Sequence, residues 1–272
     1  MQTVQARTNG FETLPCELRL QILEHVFADN LDHSVFNGHG MSTGLLLDDK
    51  YMAHHHLQPL LTCRQMYQDA SLLAMSRTNF VVSNLFFRVP ERLARLHVKQ
   101  IEALRSIAFV ADARHFRELI AWNGSPFGMP GLQLETLTII LHRSSFWHYL
   151  FDFTADVVKL LRNLKGIRKF VFVRNGARVK GSFKTWCNRL VGLIMKIDHQ
   201  ERYMKSVPCL EMTWWEWRFD DVAQSLCLEA RAARPLVDEE TYFQQMMPLM
   251  EALRVSVEDE EWNPDPRAHN GT

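Results

Sequence analysis

No stretch of this chain reaches the ~18 uninterrupted apolar residues that a membrane-crossing helix needs. The richest segments, around Leu134–Leu141 and Gly192–Ile197, fall far short of it. The opening residues carry Arg7 and Glu12 and no apolar run, so no secretory signal is expected. Cysteine is scarce and odd in number: Cys16, Cys63, Cys187, Cys209 and Cys227, no two at metal-ligand spacing. That argues against a disulfide scaffold or a zinc finger and points to a reducing compartment, cytoplasm or nucleus. Phosphate loops and nucleophile elbows are missing too. Gly38-His39-Gly40 lacks a following glycine and the strand–helix setting, and no G-x-S-x-G occurs.

What the chain does have is apolar content. At 272 residues and 47% hydrophobic it can bury a substantial core. Its zero net charge hides an uneven distribution. Residues 1–100 carry nine basic and nine acidic side chains, residues 101–235 carry 20 and 13, and residues 236–272 carry two and nine.

Residues 1–10 are polar and are expected to be loose. Thr13 stands as a candidate N-cap and Pro15 suits a first helical turn. Leu18, Ile22 and Val26, flanked by Leu23 and Phe27, then recur at helical spacing. Residues 29–56 are rich in Gly, Asn, Asp and His, lack periodicity and are read as an irregular insertion. A second helix is expected from Leu57 or Pro59 to about Met75, and a strand at Asn79-Phe80-Val81-Val82.

From there one pattern repeats: apolar, two others, apolar, one other, apolar. Its copies begin at Leu104, Leu134, Ile167 and Val207, with an imperfect earlier one at Met75. The intervals are 29, 30, 33 and 40 residues, and helical stretches are expected at about 90–102, 113–122, 145–164 and 182–205. Strand, crossover helix, strand at this period is the signature of a parallel βα array whose units share one core. Alternation puts Ile107, Leu137, Phe170 and Leu210 on the face toward the helices. The other face, with Ala108, Val110, Thr138, Ile140, Val171, Val173, Glu211 and Thr213, is also unexpectedly apolar. It needs a cover or a partner, and a helix near 238–255 is the expected cover. The tail from Ser256, with Glu258-Asp259-Glu260-Glu261, is expected to be solvated and disordered.

The head resembles the F-box-like family widespread among uncharacterised fungal proteins. Two pieces carry the likeness. One is Leu14-Pro15-Cys16-Glu17-Leu18-Arg19 leading to Ile22. The other runs from Leu60 through Cys63-Arg64-Gln65-Met66-Tyr67-Gln68-Asp69-Ala70 to the strand at Asn79-Phe80. The later repeat resembles the degenerate leucine-rich arrays that follow such heads. The expected fold is therefore α+β. An F-box-like helical head at 11–75 is followed at 76–255 by a short βα, leucine-rich-repeat-like array with a mostly parallel sheet, and then by the acidic tail. The resemblance implies a non-catalytic protein-interaction role in which a Skp-type adaptor of a cullin-based ubiquitin ligase binds the head. It assigns that docking surface to Leu14, Pro15, Leu18, Ile22, Leu60, Leu61 and Cys63. The long insertion between the two helices departs from the family's short link.

Other constellations have plainer readings. His54-His55-His56, with His33 and His39, cannot converge on one ion from consecutive positions and reads as a polar loop, so no metal and no cofactor are expected. Cys63 has no fixed base and reads as a small hydrophobe rather than a nucleophile. Between Asp156 and Asp198 lies no acid but a run of bases that includes Lys165, Arg168, Lys169, Arg174, Arg178 and Lys180. It is open to three readings: a solvated face, pairing with the acidic tail, or an acidic partner. Nucleic acid is the least favoured partner because the whole chain is neutral. Trp214-Trp215-Glu216-Trp217 holds three tryptophans in four residues. Trp215 and Trp217 point to one side of a strand, either as a partner surface or as a cap on the array's core. Oligomeric state is left open.

Overall fold

A computed structural model describes residues 10–11, 13–28, 34–40, 44–83, 88–122, 124–143, 146–147, 150–208 and 213–265. The fold is α+β, built on a mostly parallel six-stranded sheet. Leu210, His33 and the end of the tail lie outside the described residues.

The head begins with α1 (Cys16–Val26). Pro15, not Thr13, occupies its N-cap, and the Thr13 hydroxyl donates instead to the Gly10 carbonyl. The insertion is not irregular. It forms an antiparallel hairpin, β1 (Phe36–Gly40) and β2 (Gly44–Leu47), then a short α2 (Ala53–Leu57). The long second helix expected from residue 57 is interrupted. A 3-10 turn at Gln58–Leu61 contains Pro59, and Cys63 is fully extended before α3 (Arg64–Arg77) starts. Leu23, Phe27, Leu60, Ala70 and Ala74 form a small core of their own.

The repeat region supplies β3 (Asn79–Val82), β4 (Ser106–Ala111), β5 (Thr136–Leu141), a two-residue β6 (Phe146–Trp147), β7 (Lys169–Val173), a two-residue β8 (Arg178–Val179), β9 (Thr213–Asp220) and β10 (Ser225–Ala232). Sheet order is β3-β4-β5-β7-β10-β9, with the first four parallel and β10 antiparallel to both neighbours. The helices between them are α4 (Val89–Leu93), α5 (Val98–Ala103), α6 (Ala113–Ile120), α7 (Thr154–Asn163) and α8 (Phe183–Tyr203). Ile107, Leu137 and Phe170 stand in register across the parallel strands. The next position in that row belongs to Leu228 of β10, not to Leu210. Val207 is exposed ahead of the last strands. The antiparallel β9–β10 pair therefore closes the array where a fourth parallel repeat was expected. Closure this way lets the chain return without another crossover helix.

The central strands are buried on both faces. Helices cover the row above. The opposite face, Ala108, Val110, Ile140 and Val173, is covered by Phe36, Leu45 and Leu47 of the hairpin, not by the C-terminal helix. The hairpin is bonded down as well as packed. Leu47 N–H donates to Asn175 Oδ1 at 2.8 Å, and Asn175 Nδ2 donates to the Leu141 carbonyl at 3.2 Å. Leu45 N–H donates to the Ala223 carbonyl, and Arg143 pairs with Asp49. Asn175 holds a left-handed backbone (φ 52°), which asparagine tolerates better than most residues.

The last helix, α9 (Glu239–Trp262), packs along α8 from Glu239, which meets His199, to Asp259, which meets Lys184. Tyr242 and Met246 pack with Val191, Met195 and Trp214. Beneath them Asp198 accepts from Arg202 Nε at 2.8 Å and from the Tyr242 hydroxyl at 2.9 Å, all buried. Burial and the Asp198 carboxylate push the Tyr242 phenol well above its usual range. The acidic residues expected to be disordered are the end of α9. Asp259 pairs with Lys184 and Glu260 accepts from Thr185 and Asn188.

Asn175→Ala removes the bond to the hairpin at Leu47 and the bond to Leu141 of β5, and leaves the Leu47 N–H unmatched, which costs about 2 kcal/mol. Urea unfolding should register that loss, and amide exchange should show the Leu45–Leu47 protons released first. Unchanged exchange at Leu47 would mean the side chain does not hold the hairpin.

Candidate docking surface

Two apolar rows run along α1, and they have separate fates. Leu23 and Phe27 turn inward to the head's core. Leu18, Ile22 and Val26, four residues apart, face water at 46%, 41% and 42% exposure. Leu61, at the end of the 3-10 turn, is 83% exposed. Leu23 and Leu60 share one cluster, so α1 and the turn are neighbours. Monomeric surfaces carry single exposed leucines routinely, but an ordered apolar row on one helix marks a contact surface.

Of the residues the F-box-like resemblance assigns to docking, Leu18, Ile22 and Leu61 are exposed, as is Pro15, and Leu14 is half-buried. Leu60 is not available: at 7% exposure it belongs to the core beneath. Cys63 is the N-cap of α3, its Sγ accepting from Met66 N–H at 3.3 Å, so it shapes the head rather than offering a surface. Val26 extends the row and was not in that set. Its signal, a third apolar residue at the same spacing, was legible.

The two motif pieces are tied by one ion pair. Arg19 Nε meets Asp69 Oδ2 at 2.8 Å, while Arg19 Nη1 donates to the Leu14 carbonyl at 2.7 Å. Gln65 Nε2 donates to the other Asp69 oxygen at 2.8 Å. The Gln65 bond, opposed by partial burial and reinforced by Arg19, holds the Asp69 carboxyl below its ordinary value. These residues are the head's fastening. They set the angle at which α1 crosses α3 and hence where Leu18 and Ile22 point.

The basic run does not make one surface. Lys165 and Arg168 precede β7 and line, with Arg105 and Glu135, a polar pocket of about 400 Å³ at the N-terminal ends of the strands. Exposed Lys169 opens β7, whereas exposed Arg178 and Lys180 follow its far end. Arg174 is buried: its Nε donates to the Ala177 carbonyl at 3.0 Å and its Nη1 to Gln224 Oε1 at 3.4 Å, so it is withdrawn from any partner. Trp215 is withdrawn as well. It is 2% exposed inside the main core and donates from Nε1 to the Leu161 carbonyl. Trp217 is half-buried against the same core. Both tryptophans cover the end of the array because β9 is its last strand.

His54, His55 and His56 lie on the single turn of α2, and no group of three or more His, Cys, Asp or Glu is placed to hold a metal ion among the described residues. Among the same residues no helix is long and apolar enough to cross a membrane.

The lowered Asp69 value has a pH consequence of definite sign. A carboxyl whose folded pKa lies below its unfolded one contributes stability above about pH 4 and loses it as pH falls through the folded value. The head of the wild type should therefore loosen on acidification below about pH 4, and Asp69→Asn should flatten that step in an acid titration followed by circular dichroism. Identical profiles for the two proteins would separate Asp69 from the acid response.

No family model, no curated protein and no solved structure matches the chain, so the F-box-like likeness of the head rests on its own residues.

Proposed function

We propose that the chain is a non-catalytic protein-binding scaffold whose head docks a partner, and that this partner is a Skp-type adaptor of a cullin-based ubiquitin ligase. One observation carries the reading: the head completes its core with Leu23, Phe27, Leu60, Ala70 and Ala74 while Leu18, Ile22 and Leu61 remain in water. Those apolar side chains lie outside the head's core, and covering their exposed area on association is favourable by about 25 cal/mol per Å². Leu14, Pro15, Leu18, Ile22 and Leu61 form the contact, with Val26 extending it. Leu60, Cys63, Arg19 and Asp69 hold it in shape from beneath. Cytoplasm or nucleus is the proposed place of action, in keeping with the free thiols of Cys16, Cys63, Cys187 and Cys227.

A second reading has its own observation. Arg105, Lys165 and Arg168 set three cations against Glu135 alone around the polar pocket, which suits a small acidic ligand. A nucleic-acid track is less well supported, because Arg178 and Lys180 lie at the other end of β7 and Arg174 is buried.

The test is binding of purified chain to a purified Skp-type adaptor by interferometry. Leu18→Asp with Ile22→Asp should weaken binding at least ~10-fold while leaving the melting temperature within a few degrees. Leu23→Asp, which buries a charge in the head's core, should unfold the head. Failure of a folded wild type to bind, or binding that survives the double substitution, would remove the adaptor reading and leave a head kept for structure.

A further inference from the structure

The two longest helices make a second feature, at the opposite sheet edge from the head. α8 and α9 are antiparallel. Lys184 and Thr185 at the start of α8 bond Asp259 and Glu260 at the end of α9, and His199 late in α8 meets Glu239 at the start of α9. Tyr242, Met246, Leu249 and Leu253 of α9 pack inward with Val191 and Met195 of α8. Their spacing of four, three and four is that of a helix–helix seam.

One residue around the helix, Phe243, Met247 and Met250 repeat the first part of that spacing, with Arg254 at the next position and Val257 beyond it, and Phe243 rests against the His199 ring. Phe243, Met247, Met250 and Val257 are all exposed. Between α8 and α9 lies an apolar groove of about 670 Å³, lined by Met195 of α8 and by Phe243, Met246, Met250, Leu253 and Val257 of α9. Gly192 opens its α8 side. A Cβ there would stand 3.4 Å from Leu253, so α8 and α9 approach to van der Waals distance at this point. Methionine-rich apolar grooves adapt to varied side chains, and an antiparallel helix pair is the natural bed for a third helix.

Charge selects the occupant. Residues 236–272 hold nine acidic and two basic side chains. Glu258 and Glu261 line the groove itself, and Glu239 and Glu240 stand at the other end of α9. Arg254, the cation among them, is already bonded to Glu251 and Glu258. A second copy laid antiparallel along α9 would set carboxylates at one end against carboxylates at the other, which disfavours self-association. We propose that the groove binds an amphipathic helix of a partner protein, apolar on one face and lined with lysine or arginine along the edge that meets α9. Lys196, on the α8 wall, leaves the opposite edge for a neutral or acidic residue. This site is independent of the head and does not need the adaptor reading to hold.

The test uses the full chain and a labelled synthetic 18-residue helix with leucine and phenylalanine on one face and lysines on one flank, followed by fluorescence anisotropy. Its control is the same peptide with glutamate for every lysine. The basic peptide should bind at least ~10-fold more tightly than the acidic one, with affinity that falls as salt rises. Met250→Glu, at an exposed wall position, should abolish binding with circular dichroism unchanged. Glu258→Gln with Glu261→Gln should erase the preference for the basic peptide while keeping the apolar contribution. Equal affinity for both peptides, no binding by the folded wild type, or insensitivity to Met250→Glu would overturn the proposal. So would concentration-dependent dimerisation in sedimentation that Met250→Glu abolishes, because the occupant would then be a second copy.

Discussion

Strands that are apolar on both faces must be covered twice. β4 and β5 are buried from their second residue to their last, and no helix on one side alone could do that. Crossover helices supply one cover because each parallel connection has to pass over the sheet. The other cover comes from far away in sequence, the hairpin of residues 36–47. Much else follows from that need. The link between the head's helices is long because it carries the hairpin. The turn after β7 holds a left-handed asparagine because that side chain reaches both the hairpin and β5. The β9–β10 turn lies close enough for Gly44 to abut Ala223 and Gln224, where a side chain would collide.

The head is a small structure with few buried residues. A cluster of five core side chains on three short helical pieces gives limited burial. The Arg19–Asp69–Gln65 bonds add direction that packing alone would not. The same economy explains why apolar residues remain partly outside: Leu23 and Phe27 face inward, while Leu18, Ile22 and Val26 on the adjoining row stay exposed among the described residues.

The parallel repeat was legible because its pattern is strict. Two-sided burial writes alternate and intervening positions alike as Ile, Leu, Val and Phe, and the register of Ile107, Leu137 and Phe170 follows from it. Its end was not legible. Local pattern identifies a strand but not its neighbour, and residues 213–220 give no sign that β10 will slip between them and β7. The hairpin was hidden for a different reason. Phe36-Asn37-Gly38-His39-Gly40 has the composition of a loop, and it is a strand because of its pairing with β2 and the sheet beneath. On α1 both apolar rows were visible, yet periodicity cannot tell a row that meets the chain's own core from one that meets water. Likewise the acidity of residues 258–261 suggested disorder, whereas Lys184, Thr185 and Asn188 on α8 give those side chains a reason to remain helical.

The hairpin also sets an order of events during synthesis. Leu47 bonds to Asn175, 128 residues later. A ribosome adding 5–20 residues per second needs on the order of ten seconds to cross that distance. Until then Phe36, Leu45 and Leu47 have been made but the sheet they cover is incomplete, with Val173 of β7 the last of its covered residues. The nascent chain thus carries an incompletely covered apolar hairpin through nearly half of its elongation, and the first half of the protein depends on the second to become a finished surface.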